Sequence, residues 1–102
     1  MTVHKKTNGS ELILTLEGRL DTTSAPQVDA EIKMSLNGIR NLVFDCSGLE
    51  YISSAGLRVL LGAQKTMAKQ GNMVIRNVNQ MVADIFNVTG FNEILRIEGV
   101  ND

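Results

Sequence analysis

The stretch "CSGLEYISSAGLRVLLGAQK", Cys46 to Lys65, sets two adjacent serines, Ser53 and Ser54, directly before Ala55, Gly56 and a run with helical spacing. A serine at a strand-to-helix turn can be a nucleophile, a helix cap or the acceptor of a modifying group. Attack by a hydroxyl needs an adjacent base. In strand–turn–helix hydrolases it also uses a Gly-x-Ser-x-Gly elbow. Here the window is Ile52-Ser53-Ser54-Ala55-Gly56, with no glycine two residues before Ser54, and the sole histidine is His4. His4 lies in a strand-like segment and reads as an exposed strand residue. No catalytic residue is therefore assigned, and the chain is read as a non-enzyme. With Ser53 as N-cap, Ser54 becomes the first helical residue, among free backbone N–H groups at the positive end of the helix dipole. A phosphate on Ser54 would add about −1.5 to −2 charge at little cost to the fold. On these residues Ser53 reads as the cap, while for Ser54 capping and switching both stand.

Other chemistries find less support. One cysteine and one histidine cannot build a zinc site. Asp21 and Asp45 both end strand-like segments and could meet near the Ser53 turn, where two carboxylates could hold Mg²⁺ through waters. Capping of turns is the plainer reading of both. Gly56 and Gly62 match neither a Walker loop nor Gly-x-Gly-x-x-Gly, so no metal and no cofactor is expected. Cys46, after Asp45, reads as a buried structural thiol.

Net charge is −1 with Lys and Arg spread along the chain, and only 4% of residues are aromatic. A nucleic-acid surface would need a basic stripe or stacking platforms, so direct nucleic-acid binding is not expected. A single cysteine fits a reducing compartment. No apolar run approaches the roughly 20 residues of a membrane span, and "MTVHKKTNGS" lacks the apolar core of a signal peptide. The expectation is a cytoplasmic protein with no membrane association.

The elements that must position the serines follow from periodicity. The length of 102 residues suits one domain, 1–102. "TVHKKTN" and "ELILTLEG" flank Gly9 and Ser10 as two strands joined by a turn, with "GRLD" closing the second. "TTSAPQVDAEIKMSLNG" predicts a helix, with Thr23 or Ser24 as cap and Pro26 in the first turn. Its apolar face is Ala25, Val28, Ile32 and Leu36, and Asn37–Gly38 end it. "RNLVFDC" is an unalternated apolar run, suited to a central strand buried on both faces. Cys46 to Lys65 then reads as strand end, tight polar turn and helix. Leu57, Leu60, Leu61 and Met67 form its core face with Ala68 beside them, and Gly71 is the left-handed cap. "MVIRNV" predicts another strand and "NQMVADIFNVTG" a third helix with Val82, Ile85, Phe86 and Thr89 on one face, stopped by Gly90. "EILRIEG" adds a last strand or edge segment. Strands alternating with helices imply an α/β fold, a mainly parallel sheet with an N-terminal edge hairpin and helices packed against it.

This order of elements, with "GRLD", "LVFDCSGLEYISSAGLRVLL" and "VADIFNVTGFNEILRI", resembles the STAS domain over essentially the whole chain. Within that family it is most similar to the bacterial anti-sigma factor antagonist, or anti-anti-sigma factor. The resemblance implies a regulator. Unphosphorylated, such a protein binds an anti-sigma factor that is a serine kinase of the GHKL ATPase type and so releases a sigma factor. Phosphorylation breaks the complex, and a serine phosphatase of the PP2C type restores it. The family motif is Asp-Ser-Ser/Thr-Gly-Leu. Aligned on Gly56-Leu57, it places the acceptor at Ser54, with Ser53 in the aspartate position and Ala55 before the glycine. Loss of that carboxylate leaves Ser53 as the alternative acceptor. By the same resemblance Asp21, Thr22, Ser53, Ser54, Ala55, Gly56 and Arg58 are partner-binding, and Asp45 supports the acceptor loop. Arg58, at i+4 from Ser54, could neutralise a phosphate, contact the partner or face solvent. The alternative function is a STAS interaction module of a transporter or lipid-trafficking complex without a phosphorylation switch.

Overall fold

The computed structural model describes residues 1–100, so the last two positions of the expected 1–102 domain lie outside the described residues. Strands β1 (Thr2–Asn8) and β2 (Glu11–Leu20) form an antiparallel hairpin from the pair Thr2/Glu17 to Asn8/Glu11. Gly9 turns it with φ of 61°, a left-handed value that suits glycine. Helix α1 (Ala25–Ser35), β3 (Asn41–Ile52), helix α2 (Ser54–Met67), β4 (Asn72–Val78), helix α3 (Gln80–Thr89) and β5 (Ile97–Val100) follow, with a 3₁₀ turn at Phe91–Glu93. The strands lie in chain order, β1-β2-β3-β4-β5, and every pairing after the hairpin is parallel. The expected α/β architecture with an N-terminal edge hairpin is what the chain adopts.

Sequential parallel strands joined by right-handed crossovers place all helices on one face of the sheet. The core agrees. Leu12, Leu14 and Leu16 alternate inward from β2, and Phe44, Cys46 and Ile75 meet Val28, Leu60, Met67, Val82 and Phe86 in one cluster. A fully buried side chain of this size contributes roughly 1.5–3 kcal/mol. Val43 is only 4% exposed yet stands outside that cluster. It sits on the sheet's other face, flanked in the ladder by Ile13 and Val74. The unalternated run at Leu42–Phe44 thus marks a central strand without a second helix layer.

Three sequence expectations need correction. The β3 strand does not end at Cys46; it continues to Ile52, pairing along β2 as far as Leu20/Ile52. Register shifts between Thr15 and Glu17 and between Gly18 and Arg19 break the alternation, as a bulge does, and hid the continuation from periodicity. Gly71 is not a left-handed cap, since the α2 cap is Ala68 in right-handed conformation. Gly71 is needed for close approach: a Cβ there would overlap the Arg40 carbonyl oxygen. On α2, Ala63 completes the buried stripe, while Leu61 is half-buried and Ala68 exposed.

Candidate functional site: the start of the second helix

In a parallel sheet the helices begin where strands end, so three helix N-termini line one edge. The junction at α2 is made by the ends of β2 and β3. Ser53 N–H donates to the Leu20 carbonyl at 2.9 Å, fixing the last residue before the helix to the neighbouring strand. Gly56, in the first turn, is buried against the same strands. A Cβ there would lie 2.7 Å from Leu20 Cγ, 2.8 Å from Ile52 Cγ1 and 3.0 Å from the Leu20 carbonyl. Only a glycine lets α2 seat this closely, and that seating holds Ser54 at a fixed point on the surface.

The two serines have different environments. Ser53 occupies the N-cap position in extended conformation (φ −99°, ψ 177°), but its side chain makes no capping bond. Its Oγ is shut off from solvent and has no hydrogen-bond partner among the described residues. The expected capping by Ser53 is therefore absent: its hydroxyl is closed to solvent and bonds none of the N–H groups of the first turn. Ser54 is exposed and is the first residue of α2. The first intrahelical bond runs from Leu57 N–H to Ser53 O at 2.9 Å. The N–H groups of Ser54, Ala55 and Gly56 precede it and have no helical carbonyl to meet. No acidic side chain stands in this first turn. The positive end of the helix dipole is thus left uncompensated around Ser54.

Asp21 and Thr22 enter the site from the loop after β2. Asp21 Oδ1 accepts from the N–H groups of Thr23 (3.0 Å) and Ser24 (3.2 Å), and Ala25 N–H donates to the Asp21 carbonyl at 2.8 Å. The Ser24 N–H, with help from Thr23, the Ser24 hydroxyl and Arg19, holds the Asp21 carboxyl below its ordinary value. Ser24 stands at the cap of α1 without capping it. Its Oγ donates to the Arg19 carbonyl at 2.7 Å and accepts from Asp21 N–H at 2.9 Å. Between the starts of α1 and α2 lies an open groove of about 390 Å³, lined by Thr22, Ala25, Pro26, Asp29, Ala55, Arg58 and Val59. The structure therefore gathers Asp21, Thr22, Ser53, Ser54, Ala55, Gly56 and Arg58 at one edge.

Asp45 stands elsewhere. It pairs with Thr15 in the ladder, whereas Ile52 pairs with Leu20. Asp21 and Asp45 are thus about six strand residues apart, on the order of 20 Å, and do not meet. Asp45 Oδ1 accepts from Ser47 N–H (3.1 Å) and the Asn77 amide (3.3 Å), not from the acceptor junction. Burial pushes the Asp45 carboxyl up, but the Ser47 and Asn77 hydrogen bonds and nearby Arg76 outweigh it and hold it below its ordinary value. Asn77, with φ of 64°, is the one non-glycine residue in left-handed conformation among the described residues. Cys46 is buried, and desolvation, with Asp45 adjoining, pushes its thiol up to about 12. Among the described residues, no group of three or more His, Cys, Asp or Glu could hold a metal ion. No helix there is long and apolar enough to cross a membrane.

Two features escaped the sequence. Asn79 caps α3, its Oδ1 accepting from Val82 N–H at 2.8 Å while its amide donates to the Leu49 carbonyl at 3.1 Å. Asn before an apolar-periodic run is a capping signal that was available. The Arg19 guanidinium lies over the Tyr51 ring, 4.4 Å from its centroid. That pairing depends on the shifted register Arg19/Tyr51, which no local pattern reveals.

Comparison with known proteins agrees with this geometry. The family model described as STAS domain matches residues 2–100. A Bordetella bronchiseptica protein named as an anti-sigma factor antagonist, BtrV, is 36% identical over 88 residues, covering 84% of this chain and 76% of that one. The fold is shared with an anti-sigma-factor antagonist (STAS) domain protein from Planctomyces limnophilus, with TM-score 0.86, 16% identity, and coverage of 98% of this chain and 91% of that one. It is also shared with the Bacillus cell fate determinant SpoIIAA in its phosphorylated form, with TM-score 0.76, 16% identity, and coverage of 99% and 93%.

Proposed function

This chain belongs to the STAS domain family, and from that premise we propose that it is an anti-sigma factor antagonist switched by phosphorylation of Ser54. Unphosphorylated, it binds a serine-kinase anti-sigma factor of the GHKL ATPase type and frees the sigma factor. The kinase transfers phosphate from ATP to Ser54, the complex parts, and a PP2C-type phosphatase resets the chain. The observation that carries this reading is the contrast between the serines: Ser54 is exposed at a helix start, whereas the Ser53 hydroxyl is turned inward and closed to solvent. A kinase can reach the first and not the second without opening the junction. The relative named as an anti-sigma factor antagonist supports the assignment of partner class.

The physics of release follows from charge. The kinase must approach Ser54 closely, so the surface around it is interface. A dianion placed there meets the nucleotide phosphates and carboxylates of a kinase site, and a few kcal/mol of repulsion and desolvation is more than tenfold in affinity. Titrating the purified kinase with phosphorylated and unphosphorylated chain tests this. The expected result is at least about tenfold weaker binding after phosphorylation; equal affinity would overturn the switch.

A further inference from the structure

The groove between α1 and α2 lies on the helix side of the sheet edge. Arg19 and Tyr51 stand on the other side of the same edge, on the sheet face that carries no helix. The ladder fixes their distance from the acceptor. Arg19 pairs with Tyr51, the next pair is Leu20/Ile52, and the residue after Ile52 is Ser53, bonded to the Leu20 carbonyl. The pair is thus within about 10 Å of Ser54 along the backbone. A standard interface covers about 800 Å² per partner, a disc of roughly 16 Å radius. A partner centred on Ser54 therefore has this pair within its reach.

The arrangement of Arg19 is that of a recognition group more than of a structural one. Its guanidinium carbon lies over the Tyr51 ring, 4.4 Å from the centroid, a contact that removes much of the entropy a long side chain otherwise loses on binding. Among the described residues its N–H donors make no hydrogen bond. The one ion pair it makes among the described residues, Nε to Asp21 Oδ2, is 3.9 Å long, beyond hydrogen-bond distance, and the side chain is 60% exposed. A guanidinium held over a ring with its N–H donors unbonded fits a carboxylate, which accepts two parallel N–H bonds. Arginine and tyrosine are also the residue types that most often dominate interface energetics.

We propose that the Arg19–Tyr51 pair is a second anchor for the anti-sigma factor kinase, receiving an acidic side chain of that partner on the open face of the sheet while the α1–α2 groove is engaged on the other. The inference rests on the proposed antagonist function. It is tested by titrating the kinase with wild type, Arg19→Ala, Arg19→Lys and Arg96→Ala chains, with thermal melts of each in parallel. Arg96 is an exposed arginine on the far side of the sheet, beside β5. Expected are about tenfold weaker binding for Arg19→Ala, a comparable loss for Arg19→Lys because lysine cannot make the bidentate pair, and binding within twofold of wild type for Arg96→Ala. Arg19→Lys keeps the stem and charge, so an unfolded Arg19→Ala would leave the question decided by the lysine variant. Wild-type binding combined with unchanged affinity in both Arg19 variants would overturn this inference alone. Absence of wild-type binding would overturn the antagonist function together with it.

Discussion

The starts of α2 and α3 lie on the same edge of the sheet and meet the same problem, a first turn with unpaired N–H groups. At α3, Asn79 answers it by accepting from Val82 N–H, and its amide also ties the helix to the Leu49 carbonyl of β3. At α2, Ser53 makes no such bond, and the first turn contains no acid. Geometry there is supplied by Gly56 wedged against Leu20 and Ile52. Asn79 closes its helix start chemically. Gly56 fixes its own sterically and leaves the polar groups around Ser54 free. A site that must take up a doubly charged phosphate is better built in the second way, because an existing cap would have to be displaced or would repel it.

If shape holds the α2 start, filling Gly56 should do the most damage. Gly56→Val is expected to cost about 3 kcal/mol, read as a lower urea midpoint at unchanged slope. A variant as stable as wild type would mean that the close packing is dispensable. The caps provide the sharper contrast. Asn79→Ala is expected to cost about 1–2 kcal/mol, since it removes a cap and leaves the Leu49 carbonyl unpaired. Ser53→Ala is expected to be neutral or stabilising by up to about 1 kcal/mol, because its buried hydroxyl has no partner among the described residues to lose. Equal losses in the two variants would erase the distinction between the helix starts.

Much of this was legible in the sequence, and what was not has specific causes. Alternation at Leu12, Leu14 and Leu16 and helical spacing at Val28, Ile32 and Leu36 gave the strand and helix faces that the structure shows. The strand from Ser47 to Ile52 was hidden because the register shifts break the period of two on which strand reading depends. Composition placed Ser53 at the helix start but could not say where its hydroxyl points, which is decided by the extended backbone and the bond to Leu20. The role of Gly71 depends on Arg40, distant in sequence, and so does not show in the local pattern of α2. Arg19 and Tyr51 are 32 positions apart, and only the ladder makes them neighbours.

The central claim is that Ser54 at the open helix start, and not Ser53, takes the phosphate. Incubation of wild type, Ser53→Ala and Ser54→Ala chains with the kinase and ATP, followed by mass spectrometry of intact protein and peptides, tests it most directly. One phosphate is expected on wild type and on Ser53→Ala, mapped to Ser54, and none on Ser54→Ala. Labelling of Ser54→Ala to the wild-type level would contradict it.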